Sequence, residues 1–97
     1  METERLTFAK TGENTYEAVY VTASDHDVLQ AALPEGVGMN VYARVPGQPG
    51  KSPIGSAGSI GPREVLCELA VPQGIEIIVE CSRKGAENVS AVIGKGE

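Results

Sequence analysis

Tryptophan is absent from this chain, phenylalanine occurs once and tyrosine three times. Core volume must therefore come from Val, Ile, Leu and Ala, an inventory that leans toward strands. Basic residues are few and scattered: eight Lys and Arg stand against thirteen Asp and Glu, for a net charge of -5. A nucleic-acid or anionic-membrane surface needs clustered cations, so neither partner is expected. No run approaches the ~20 apolar residues of a membrane-spanning helix. "METERLTFAK" is charged at once and carries no signal-peptide apolar run, so the chain is expected to stay in the compartment where it is made. Two cysteines in such a chain read as free thiols before a disulfide.

Chemistry is also scarce. The single histidine lies in Asp25-His26-Asp27. Three adjacent residues do not readily converge on one ion, and no second His or CxxC completes a zinc set. One His also leaves no visible Ser-His or Cys-His pair for nucleophilic catalysis. Gly50-Lys51-Ser52 resembles a phosphate loop, but the required first glycine is Val45 and no helix follows. Glu68 and Glu80 fall on outward strand faces with nothing to mark a cleft. Asn88-Val89-Ser90 fits a glycosylation triplet that carries little weight without a secretory signal. The expectation is a non-enzymatic protein with no metal and no cofactor.

Ninety-seven residues make one domain by size. Period-two alternation pervades it. A short strand is expected to start at Leu6–Phe8, with a turn over 11–14. Further strands are expected at 15–23, 28–33, 39–45, 65–71, 75–81 and 89–93. Met39, Val41, Ala43 and Val45 share one face; so do Val65, Cys67, Leu69 and Val71, and likewise Ile75, Ile77, Val79 and Cys81. One apolar face per strand predicts antiparallel sheets wetted on one side. The fold class is all-β: one antiparallel β-sandwich, jelly-roll or Ig-like, of about seven to eight short strands.

Residues 31–43, "AALPEGVGMNVYA", echo residues 69–81, "LAVPQGIEIIVEC", with Pro34, Gly36 and Val41 falling on Pro72, Gly74 and Val79. Both read strand, Pro-x-Gly corner, strand, which fits hairpins or arches. Read as a hairpin, the second places Cys67 and Cys81 diagonally on one face. They are then too far apart to bridge comfortably, although a two-residue register shift reverses that.

From Pro46 to Arg63 there are four Pro and five Gly in eighteen positions. A central strand is excluded there, though a short edge strand near Ser56–Ile60 is allowed. The segment reads either as a flexible hairpin tip or as an arm laid on a neighbouring molecule, with Pro46, Gly47, Gly61 and Pro62 as its hinges. In the second reading Ile54 and Ile60 are anchors. Leu66 and Ile78 lie on outward faces beside Glu68, Glu76 and Glu80. If they cluster with Ala70, they form a patch for the arm or another subunit to cover.

"RLTFAKTGENTYEA", with Leu6-Thr7-Phe8, Gly12 and Tyr16, followed by "AVPQGIEIIVECS" and "VSAV", resembles small β-sandwich proteins of tailed phages of gut Bacteroidota, including crAss-like phages. The similarity spans most of the chain and fades in the Gly/Pro segment. It implies an accessory or decoration protein of the phage head, made in the host cytoplasm and seated on the capsid surface as a homo-oligomer. Its partner is then the major capsid protein or another virion protein; Ile54, Ile60, Leu66 and Ile78, apolar at sites expected to face outward, are the contact residues expected from the sequence. Two other readings stay open: a carbohydrate-binding module stacking sugars on Tyr16, Tyr20 and Tyr42, and an intracellular adaptor without activity of its own.

Overall fold

The alternation seen in the sequence resolves into two facing antiparallel sheets in a computed structural model, which describes residues 3–24, 26–57 and 63–94. The strands are β1 (Thr3–Arg5), β2 (Ala9–Gly12), β3 (Thr15–Val21), β4 (Val28–Leu33), β5 (Gly38–Arg44), β6 (Ser52–Ala57), β7 (Arg63–Glu68), β8 (Glu76–Ser82) and β9 (Ser90–Gly94). A four-stranded sheet runs β1-β9-β4-β7, and a five-stranded sheet runs β2-β3-β8-β5-β6. If the short hairpin strand β2 is set aside, this is the order of an eight-stranded jelly roll, two sheets exchanging strands at almost every connection. The choice between jelly-roll and Ig-like order thus falls to the former.

Between the sheets, Leu29, Ala31 and Leu33 of β4 meet Met39 and Val41 of β5 and Ile77, Val79 and Cys81 of β8, all buried. Ala91 and Ile93 of β9 and Ala18 and Tyr20 of β3 complete the layer. Removing this aliphatic surface from water is the dominant favourable term in folding. Leu6–Phe8, expected as a strand, is instead the crossing from the four-stranded to the five-stranded sheet. Leu6 is buried there, and its N–H donates to the Ala91 carbonyl at 2.9 Å.

Both Pro-x-Gly corners are arches between sheets. Residues 34–37 carry the chain from β4 to β5, with Val37 N–H donating to Pro34 O and Gly36 at φ +85°. Residues 69–75 carry it from β7 to β8, with Gly74 at φ +88°. Only glycine enters that region at no steric cost. Residues 65–81 are therefore not a hairpin: β7 pairs with β4 and β8 with β3 and β5. Leu29 faces Cys67, while Cys81 faces Tyr16 and Met39 in the opposite sheet; both thiols are free.

The echo has a geometric meaning. In the β5·β8 ladder Val41 pairs with Val79, Met39 with Cys81 and Ala43 with Ile77. The echo superposes Val41 on Val79, Met39 on Ile77 and Ala43 on Cys81. It therefore maps this ladder onto itself about the Val41–Val79 pair. The same shift maps β4·β7 onto itself about the Leu29–Cys67 pair. The two arches are thus related by a local twofold through the core and lie at opposite ends of the sandwich.

The Gly/Pro segment is not one loop. Val45–Gln48 is a turn closed by Gln48 N–H to Val45 O at 3.0 Å, with Pro46 at its first corner and Gly47 at φ +85°. Pro46 and Gly47 thus form a hydrogen-bonded turn instead of a free hinge. Ser52–Ala57 then forms the edge strand β6, paired with β5 through a bulge at Ile54. Pro53 is tolerated because the strand is an edge. Ile60, Gly61 and Pro62 lie outside the described residues.

Candidate functional site

The β6 and β7 strands are the last strands of their respective sheets, and both border one flank of the sandwich. A β-carbon built on Gly55 of β6 would lie 3.4 Å from the Cys67 Sγ of β7, so the two edges meet there and glycine leaves room for the thiol. Cys67 is half-buried between the sheets; burial, and secondarily Glu68, push its thiol pKa up. Cys81 is fully buried and is pushed up to about 11 by burial, with Glu80 adding to it. Both are held as thiols at neutral pH, the less reactive form.

This flank carries two of the expected contact residues. Leu66 is 71% exposed and Ile54 is 38% exposed. Ile78 does not join them. It is 3% exposed, on the outer face of β8 between Val19 of β3 and Tyr42 of β5. Its outward direction was legible, but β8 is the middle strand of its sheet, and neighbours on both sides cover it. Leu66 lies on the outer face of the other sheet, so no Leu66–Ile78–Ala70 patch exists. Glu68 and Glu80 are on opposite surfaces for the same reason.

Of the four edges among the described residues, three are guarded. β1 has three residues, β2 has an irregular register at Lys10–Gly12, and β6 carries Pro53 and the Ile54 bulge. β7 has six residues in uninterrupted register with β4 and no proline. Its Val65 and Cys67 pack against the core, while Glu64, Leu66 and Glu68 are exposed. Opposite these on β4 stand Ala32, Gln30 and Val28. The significance of Glu64 and Glu68 was not drawn from the sequence, although Glu-x-Leu-x-Glu is visible there. Alternation gives their face, but only topology makes β7 an edge.

The β3–β4 connection is built around Asp27, fully buried. Its Oδ2 accepts from the Tyr20 hydroxyl at 3.0 Å and from Ala23 N–H at 2.7 Å, and its Oδ1 accepts from Ser24 Oγ at 2.8 Å. Burial, then the Asp27 hydrogen bond and charge, push the Tyr20 hydroxyl up to about 12. Next to it Thr22 Oγ1 donates to Pro72 O at 2.8 Å and accepts from Ile75 N–H at 3.0 Å, fastening this loop to the second arch. His26 is exposed and lines a cleft of about 190 Å³ with Asp27, Val28, Glu68, Leu69 and Ala70. Of its two carboxylates, Asp27 already serves the loop, while Glu68 belongs to the exposed outer face of β7. The expectation of a solvated turn thus holds for His26 and fails for Asp27, while Asp25 is outside the described residues. Ser24-x-x-Asp27 spacing is a turn signal; the Tyr20 contact has none.

The three tyrosines do not form a platform. Tyr20 is buried, Tyr16 packs against the core, and Tyr42 is on the opposite, outer face with Lys51 Nζ 4.2 Å from its ring centroid. Beside it, Arg44 Nε meets Glu76 Oε1 at 2.9 Å. Among the described residues no three His, Cys, Asp or Glu converge as a metal set, and no helix is long and apolar enough to cross a membrane. No family model, curated protein or solved structure matches the chain.

Proposed function

We propose that this chain is a non-enzymatic assembly protein, an auxiliary subunit that seats on a phage capsid lattice through the flank formed by β6 and β7. The observation that carries the reading is Leu66, the most exposed large apolar side chain described, in the one described edge strand that is long, regular and free of proline. An exposed apolar group on a strand with free backbone donors and acceptors suits a repeated, shallow protein contact. The jelly-roll order and the resemblance to phage head proteins favour a capsid as that partner. Asp27, the most buried acid, has a structural task, which fits a protein without catalytic work.

The test is composition. Particles purified from cells producing the chain should contain it in fixed proportion to the major capsid subunit, and Leu66→Glu should lower that proportion at least about tenfold, as for a contact worth over 1.4 kcal/mol. A chain that stays wholly in the particle-free fraction contradicts the capsid reading.

A further inference from the structure

The geometry points to an occupant for the β7 edge: an extended segment of a partner chain that adds as a fifth strand to the four-stranded sheet, with a basic-x-apolar-x-basic pattern on its outer face. An edge strand offers unpaired N–H and C=O groups along its free side, and strand addition uses them for affinity while alternate side chains give specificity. On β7 the alternate outer side chains are Glu64, Leu66 and Glu68, all exposed. Directly opposed residues on added strands have β-carbons about 4.5–5.5 Å apart. An apolar residue opposite Leu66 therefore brings its neighbours two positions away against Glu64 and Glu68. The pattern is symmetric, so it serves a parallel or an antiparallel partner.

The charges select this partner. Opposite Glu64 and Glu68 on β4 stand Ala32 and Val28, which offer no cation, and among the described residues neither glutamate has an ion pair. A second copy of the chain fits poorly. An antiparallel β7·β7 ladder centred on Leu66 sets Glu64 of each chain against Glu68 of the other, and like charges directly opposed are destabilising. Shifting that ladder by two residues in the pairing sum sets Leu66 against a glutamate instead. The two glutamates thus disfavour self-pairing centred on Leu66 and favour a cationic strand.

This inference rests on the docking reading above, yet its test needs no particles. A labelled nine-residue peptide centred on Lys-Thr-Val-Thr-Lys is titrated with the chain at low salt beside its twin centred on Glu-Thr-Val-Thr-Glu. The basic peptide should bind about fourfold or more tightly, since two directly opposed pairs change from repulsive to attractive. The preference should reverse in E64K/E68K, a double substitution at exposed positions. Amides of Arg63–Glu68 should slow in hydrogen exchange, and N-methylation of alternate peptide nitrogens should abolish binding. Equal affinity for the two peptides, undiminished binding of the N-methylated one, or no binding at millimolar concentration would overturn the inference. So would protection of 63–68 that grows with chain concentration alone, since the occupant is then a second copy. Peptide binding with the chain absent from particles would instead remove only the capsid reading.

Discussion

The Tyr20 hydroxyl donates to the Asp27 carboxylate at 3.0 Å, between residues that are both buried, and thereby ties the end of β3 to the start of β4. Truncating Asp27 removes the acceptor of both Tyr20 Oη and Ala23 N–H. Of these, the Tyr20 hydroxyl is buried, and an orphaned buried donor costs about 1–3 kcal/mol. Asp27→Ala should therefore lower stability by at least about 1 kcal/mol on that scale, read as a lower urea midpoint. An unchanged midpoint would show that the carboxylate is dispensable.

Burial of Tyr20, helped by this bond, and burial of Cys81 set an alkaline limit. Tyr20 ionises near 10.0 in the unfolded chain and about 12 in the folded one, and Cys81 near 9.0 and about 11. In each case the unfolded state releases its proton first, so stability falls as pH rises between the two values. Below pH 9 neither group contributes a slope. The decline should begin with Cys81 from pH 9 and be joined by Tyr20 from pH 10. Unfolding free energies measured from pH 8 to 12 should show this, and Tyr20→Phe should remove the later part. An identical slope in that variant would contradict the assignment.

Leu29 and Leu66 occupy neighbouring strands yet differ wholly in setting: Leu29 is 0% exposed and Leu66 71%. Leu29→Ala should cost about 2–5 kcal/mol through lost burial and the cavity left behind. Leu66→Ser should stay within about 0.5 kcal/mol, as exposed substitutions do. Chemical denaturation of the two variants compares them, and equal losses would mean that the β7 face is covered in the free chain.

Gly55 tests the closure of the flank. A β-carbon there reaches van der Waals contact with Cys67 Sγ at 3.4 Å, and further methyls must overpack it. Gly55→Val should destabilise by about 1–3 kcal/mol, and Cys67→Ala should return part of that loss. A double-mutant cycle reads the coupling. Strict additivity would indicate that β6 and β7 do not meet.

The alternation of Leu29/Ala31/Leu33, Met39/Val41 and Ile77/Val79/Cys81 told which side chains enter the core, because a pleated strand admits only two faces. The Pro-x-Gly corners at 34–36 and 72–74 were legible as turns, because Gly36 and Gly74 need positive φ. Whether a corner returns within a sheet or crosses to the other was not legible, since both uses want the same residues. The β7–β8 pairing was therefore misplaced, along with the positions of Cys67 and Cys81. Ile78 was missed for a related reason: its face follows from period two, but its burial depends on Val19 and Tyr42, brought alongside by distant strands. In β6, Pro53 and Gly55 hid a strand whose ladder is supplied by β5. Leu66 stood out as an apolar residue on an outward face beside glutamates, and it is exposed; that its strand is an edge came only with the strand order.

Hydrogen exchange on the chain, free and bound to purified particles, reports on the docking edge residue by residue. Backbone amides of Arg63–Glu68 should slow on binding while those of Val19 and Val21, exposed on the opposite sheet, keep their free-state rates. Unchanged exchange at 63–68 in the bound chain would contradict docking through β7.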